Sequence, residues 1–193
     1  RGVDSQGQSI QLQDIPLLGL PVENAAVALQ VYALLNFAWN SAVVLQGLTN
    51  ARIQGRLQEV NLPWQDRNLH IMLDVAHNPH AANYLAERLK SKPILGRRLA
   101  VLGVLDDKDL SGLLDCMQTQ IHSWAVAALP TPRSCKVEQL EQALQGRDAS
   151  VTAYQSIAQA IEAQCAQATE DDQIIIFGSF FTVAEALKWL SRH

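Results

Sequence analysis

Leu69-His70-Ile71-Met72-Leu73-Asp74-Val75-Ala76-His77-Asn78-Pro79-His80-Ala81-Ala82 is the stretch that decides the fold. Its first five residues are almost continuously apolar, the signature of a strand buried on both faces rather than one with a wet side. A short polar loop follows, and from about 80 to 90 the chain reads as helix. Asn78 suits a helix N-cap, and Pro79 suits the first helical turn, where no N–H is required. The same strand, loop and helix rhythm returns downstream. Apolar runs at 99–105, 124–129, 150–153 and 173–177 precede helical stretches at about 109–121, 137–144, 156–167 and 182–190. Doubly covered strands alternating with helices imply a doubly wound, mainly parallel α/β sheet over residues 57–193, its connections right-handed crossovers. Residues 57–62 add a further edge strand.

Upstream the chain changes character. Residues 3–13 are rich in Gln, Ser and Gly and read as one irregular hairpin strand, and Pro16 and Pro21 bracket a turn. From Asn24 to Leu35 apolar residues crowd together, which reads as a buried helix opening near Glu23 and Asn24. A second helix covers about 41–49 and runs into Arg52-Ile53-Gln54-Gly55-Arg56. Of the 193 residues, 48% are hydrophobic and 18% charged, which suits a globular chain and excludes a mainly disordered one. Fifteen Lys and Arg against 19 Asp and Glu leave a net charge of −4, so no basic field is available for nucleic acid or an anionic membrane. The apolar stretches are too short or too interrupted to span a bilayer. Cys116, Cys135 and Cys165 are odd in number and form no C-x-x-C pair, which points to a reducing compartment, the cytoplasm. Arg1 stands where an initiator Met would, with no signal-peptide pattern behind it, and the chain reads as a piece of a longer protein.

In a sheet of this kind, ligands sit beyond the carboxyl ends of the strands. That directs attention to the loops at 74–79, 103–109, 129–133 and 178–181. Asp74 ends a strand and can accept two hydroxyl hydrogens, as a ribose requires. Asp74, His77 and His80 are too loosely spaced for a metal site and lack a fourth ligand, so no metal is assigned to this chain. Asp107-Lys108-Asp109 is a charged turn in which Lys108 can neutralise an anion, or simply sit in a solvated loop capped by Asp109. Ser179 precedes the last helix, as N-cap or as an anion contact. The chain contains no G-x-x-x-x-G-K-[ST] phosphate cradle and no G-x-G-x-x-G.

The run from Asp74 to Ala82 closely resembles the motif that opens the C-terminal domain of the folylpolyglutamate synthase/dihydrofolate synthase family, relatives of the Mur ligases. Leu20-Pro21-Val22-Glu23-Asn24-Ala25-Ala26 resembles that family's Asn-Ala-Ala helix start, and Gly55-Arg56 its linker. Gly103 with Asp107-Lys108-Asp109, then Pro132-Arg133, then Gly178-Ser179-Phe180-Phe181-Thr182-Val183-Ala184 follow in the family's order along nearly the whole chain.

The resemblance implies three parts: a remnant of the central ATPase domain (1–52), a linker (53–56) and a complete C-terminal glutamate ligase domain (57–193). It implies an ATP-dependent ligase that joins L-glutamate to dihydropteroate or to the γ-carboxylate of a folate through an acyl phosphate. Its P-loop and Mg²⁺ ligands would lie in an N-terminal domain of the same protein, so the chain alone would be inactive, and the whole would be a monomer. By the same resemblance Asn24 holds the adenine edge, Arg56 reaches ATP phosphate, Asp74 meets the ribose, and Ser179 meets the carboxylate of the amino acid. His77 lies beside nucleotide or glutamate, and His77 and Lys108 are the catalytic candidates. Gln54 stands where the family often has Pro, and Phe181 where some members have His, which removes any role for an imidazole there. Residues 61–67, with Trp64, read as a hairpin insertion without chemistry. Two alternatives stay open: a Mur-type ligase of cell-wall precursors, and a non-catalytic Rossmann-like module that binds a nucleotide or a partner.

Overall fold

A computed structural model describes every residue except Pro16, Leu17 and Gly19, so one arm of the turn expected between Pro16 and Pro21 lies outside the described residues. The chain divides into two compact units, Arg1–Arg56 and Leu57–His193.

In the first unit, β1 (Gly2–Val3) pairs antiparallel with β2 (Ser9–Ile10). The region 3–13 is therefore a miniature hairpin in itself and not one strand of a larger one. Its turn is held locally: the N–H groups of Gln6 and Gln8 donate to Asp4 Oδ1 at 2.9 and 2.7 Å. Gln30 of α1 (Val22–Leu34) grips Val3 through both N–H and C=O, at 3.1 and 2.8 Å. Ala26, Leu29 and Ala33 line the side of α1 that faces Ile10 and Ile15. Val27, Val31 and Leu34, at i, i+4 and i+7, are 66%, 52% and 51% exposed. The expected buried helix is thus covered on one face only, because a thirteen-residue helix that is apolar all round needs more cover than one short hairpin offers. α2 (Ser41–Asn50) is capped by Asn40 Oδ1, which accepts from the N–H groups of Ala42 and Val43.

The second unit is a six-stranded sheet in the order β3-β4-β8-β5-β6-β7. Its strands are β3 (Gln58–Trp64), β4 (Arg67–Asp74), β5 (Arg98–Leu102), β6 (Ser123–Ala127), β7 (Val151–Tyr154) and β8 (Gln173–Phe177). All neighbours run parallel except β3, which pairs antiparallel with β4. The pairing of β3 and β4 continues to Trp64↔Arg67, closed by Gln65 and Asp66 with Gln65 at φ 56°. Residues 61–64 are therefore strand, and the expected insertion shrinks to a two-residue turn.

Alternate side chains of each strand feed two cores. Met72, Leu102, Trp124 and Phe177 pack with α3 (Pro79–Ser91), α4 (Leu110–Met117) and α5 (Val137–Gln145). Ile71, Leu73, Val101, Ile174 and Ile176 pack with α6 (Ile157–Gln167) and α7 (Phe180–Leu190). Each fully buried aliphatic side chain contributes roughly 1.5–3 kcal/mol before the entropy of ordering is subtracted. α4 ends sooner than its periodicity suggests, its last turn tightening to 3₁₀ geometry over Gln118–Gln120.

The order of strands makes the site. β8 is last in sequence but lies between β4 and β5. The loops leaving β4 and β5 rise to helices on one face, whereas the loop leaving β8 turns to α7 on the other. Neighbouring loops that part in opposite directions leave a crevice at the carboxyl edge.

Candidate functional site at the carboxyl ends of the strands

Asp74 closes β4 and is 5% exposed. Its two oxygens accept separate backbone hydrogens, Leu57 N–H on Oδ2 and Ala76 N–H on Oδ1, both at 2.8 Å. The first of these holds Leu57 at φ 44°, a left-handed conformation unfavourable for a side chain of that size. A carboxylate oxygen accepts from hydroxyl donors as readily as from N–H groups. His77 follows three residues on. Its Nδ1 lies 2.8 Å from Val75 O, and since a carbonyl only accepts, Nδ1 carries the proton and Nε2 is the nitrogen left to act on a ligand. The His77 ring lies 6.2 Å from that of Phe180, centroid to centroid. Asn78 Oδ1 caps α3 by accepting from Ala81 N–H at 2.9 Å, with Pro79 first in the helix, as the sequence indicates.

The loop after β8 meets this one from the next strand. Gly178 has φ 118°, and a Cβ there would run into the carbonyl oxygen of Gly103 at the tip of β5. Both features require glycine. Ser179, 2% exposed, caps α7 by accepting from Thr182 N–H at 3.0 Å. Thr182, fully buried, donates its hydroxyl to Gly103 O at 2.6 Å and lies 2.7 Å from Ser179 Oγ. Sequence reading passed over Thr182; the available signal was a second hydroxyl three residues after a helix-capping serine.

One strand further over, Asp107 accepts from Lys108 Nζ at 3.0 Å and from Arg133 at 2.9 Å, which brings the loops after β5 and β6 together. The Lys108 hydrogen bond, seconded by Arg133, holds the Asp107 carboxyl below its ordinary range. Asp109 caps α4 through Gly112 N–H at 2.9 Å. Lys108 therefore stands beside the crevice in an ion pair, its side chain 26% exposed.

Asp74, His77 and Ser179 are gathered at the adjacent tips of β4 and β8, and Lys108 stands one strand away beyond β5. Asn24 and Arg56 belong to the first unit. Asn24 is the third residue of α1 and exposed; the helix begins at Val22 with Pro21 in the N-cap position, so Asn24 is neither its cap nor its first residue. Arg56 is half-buried and follows Gly55, which has φ 71°. Among the described residues no group of three or more His, Cys, Asp or Glu side chains converges as a metal site would require. A cavity of about 280 Å³ lined by residues such as Asn61, His70, Arg88 and Asp171 lies at the amino ends of the strands, away from these groups. We place the site at the carboxyl edge, where the sheet order opens a crevice and the polar loops converge.

The fold is that of an α/β domain with a mainly parallel sheet whose candidate polar groups stand on the strand tips. The chain belongs to the Mur ligase family: the family model "Mur ligase, glutamate ligase domain" matches residues 55–180. It is 37% identical over 177 residues to the dihydrofolate synthase/folylpolyglutamate synthase of Escherichia coli, covering 92% of this chain and 40% of that protein. The solved structure of E. coli FolC in complex with DHPP and ADP superposes with a TM-score of 0.80 at 36% identity, over 94% of this chain and 42% of the other. A bifunctional folylpolyglutamate synthase/dihydrofolate synthase with Mn, AMPPNP and L-glutamate bound gives 0.82 at 35% identity, over 96% and 43%. The chain spans about two fifths of the length of these relatives. The resemblance read from the sequence and the α/β fold expected from it both hold. Among the described residues no helix is long and apolar enough to cross a membrane.

Proposed function

We propose that this chain is the C-terminal part of an ATP-dependent folate ligase that adds L-glutamate to dihydropteroate, to the γ-carboxylate of a folate, or to both. In this reading residues 1–52 are the end of the central ATPase domain, 53–56 the linker and 57–193 the glutamate ligase domain. The observation that carries it is the gathering of Asp74, His77 and Ser179 on adjacent strand tips in a chain whose similarity to named folate ligases covers 92% of its length.

The reaction asks for two displacements. A substrate carboxylate oxygen attacks the γ-phosphorus of ATP, ADP leaves, and an acyl phosphate forms. The glutamate amine then attacks the acyl carbon, the C–O bond to phosphate breaks, and the amine proton is lost as phosphate departs. Water must be kept from the acyl phosphate meanwhile, and two domains closing on one cleft accomplish that.

We assign Asn24 to the adenine edge, Arg56 to phosphate oxygens and Asp74 to the ribose hydroxyls. Asp74 also holds the backbone of Leu57, the first residue of the second unit. His77, with Nδ1 engaged by Val75 O and Nε2 the remaining ring nitrogen, is assigned to the incoming amine. Lys108 is assigned to charge developing at phosphate, a role that requires it to exchange Asp107 for the ligand. The turn opened by Ser179 is assigned to the carboxylate of the amino acid. Mg²⁺, when bound, would neutralise the phosphates; its ligands are assigned to a P-loop domain encoded upstream. The three thiols, all free, fit a reducing cytoplasm, and we expect a monomer.

The test is to assay glutamate-dependent ADP release by this chain alone and by the protein extended upstream through a G-x-x-x-x-G-K-[ST] segment, with dihydropteroate, a reduced folate and a muramyl-peptide precursor. Activity confined to the extended protein and to pterin substrates is expected. An upstream sequence without the phosphate cradle would overturn the reading. Turnover with the muramyl precursor alone would move the protein to the cell-wall branch, and tight ATP binding by this chain alone would favour an autonomous binding module.

A further inference from the structure

We infer that the buried hydroxyl of Thr182 is a positioning group that latches the tip of β5 to the start of α7. The latch closes the β5–β8 side of the carboxyl edge and leaves the β4–β8 side, with Asp74, His77 and Phe180, to receive the ligand. The latch rests on geometry alone; its kinetic consequence rests on the ligase reading above.

Hydrogens can be counted along the chain of contacts. Gly103 O can only accept, so the 2.6 Å contact uses the one hydrogen of Thr182 Oγ1. The 2.7 Å contact between hydroxyls is then a donation from Ser179 to Thr182. Ser179 Oγ accepts in turn from Thr182 N–H. The chain runs one way, from Ser179 through Thr182 to the backbone of β5. Ser179 is left with one lone pair and no hydrogen. In this arrangement it cannot donate to a carboxylate, and at 2% exposure it serves the site through the placement of the turn it caps.

Close packing seals the same side. A Cβ on Gly103 would lie 2.6 Å from Leu129 Cδ2 and 3.1 Å from Thr182 Oγ1, and one on Gly178 would strike Gly103 O. No room remains between the tips of β5 and β8. Across β8 the picture reverses: the Phe180 ring is 61% exposed and the His77 ring lies 6.2 Å away. Thr182 is thus the joint on which the loop of β8 is held to one neighbour while staying open to the other.

Thr182→Val keeps the shape and removes the hydroxyl; Thr182→Ser keeps the hydroxyl. Amide hydrogen exchange on this chain reads the latch directly. Faster exchange in Thr182→Val at Gly103 and Val104 together with Thr182 and Val183, restored in Thr182→Ser, is expected. Unchanged exchange at the β5 tip would overturn the latch. In the extended protein, Thr182→Val should raise KM for L-glutamate about tenfold, with KM for ATP within about twofold of wild type and Thr182→Ser near wild type. A rise shared equally by ATP and glutamate, or a fall in kcat with both KM values unchanged, would overturn the positioning role. A wild-type extended protein without glutamate-dependent turnover would sink the ligase reading instead, and exchange would then decide the latch alone.

Discussion

Asp172 shows what a single carboxylate contributes where β8 begins. Its side chain is 3% exposed and accepts from the backbone and guanidinium of Arg97 and from Thr169 N–H. Burial works to raise its pKa, but the hydrogen bonds from Arg97 and Thr169 overcome this and bring it from 3.8 down to about 2. A carboxyl depressed in the folded state adds stability above its unfolded pKa and loses it as pH falls. The contribution is therefore complete above about pH 4 and fades between about pH 4 and pH 2. It amounts to at most about 2 kcal/mol, less for the half-exposed Arg97 end. Asp172→Asn should lower the urea unfolding free energy at pH 7 by up to this amount and flatten its decline between pH 4 and pH 2. An unchanged acid slope would show that the pair contributes nothing. At this scale, local capping was legible in the sequence: Asn78, Asp109 and Ser179 all cap the helices they precede, because a cap is decided within three residues. The contact that Thr182 makes was not legible, since its partner Gly103 lies 79 residues away and only the parallel pairing of β5 and β8 brings the two together.

Among the elements, α3 ends with unusual support. Arg98, at the start of β5 and 8% exposed, donates to Leu89 O and Lys92 O at 2.7 Å each, adding a charged donor to the Lys92 N–H that Leu89 O already accepts at 3.2 Å. Burial lowers the pKa of this guanidinium, yet an arginine stays charged at any ordinary pH. Arg98→Met fills much of the same volume but takes the guanidinium donor from Lys92 O and leaves Leu89 O with the Lys92 N–H only, and should cost about 1–3 kcal/mol in urea unfolding. A loss below about 0.5 kcal/mol would mean that water replaces the guanidinium freely. The strands themselves were easy to read, because two-sided burial writes itself as continuous apolar sequence. Two elements were misread for opposite reasons. β3 was cut short at Pro63 and Trp64, although an edge strand tolerates a proline. α1 was taken as buried because its composition is apolar all round, and composition does not say whether both faces find cover.

At the scale of the molecule, the apolar stripe of Val27, Val31 and Leu34 sets how the isolated chain behaves. Exposed stripes of this kind promote association. Val27→Lys with Val31→Glu should raise the concentration at which the chain stays monodisperse in light scattering, with the thermal transition of the α/β unit unmoved. A downward shift of that transition would show that the stripe supports the fold. The alternation of strands and helices could be read from the chain, but which loops share a crevice depends on β8 inserting between β4 and β5, and no local pattern announces an insertion. The rim of the sheet carries one more consequence. Pro63 pairs with Asn68, whose own N–H turns away to Glu170 at 3.0 Å, so this is a non-hydrogen-bonded pair and the Pro63 nitrogen faces outward. A foreign strand seeking to zip onto β3 would find a missing rung there, which weakens edge-to-edge pairing along that border.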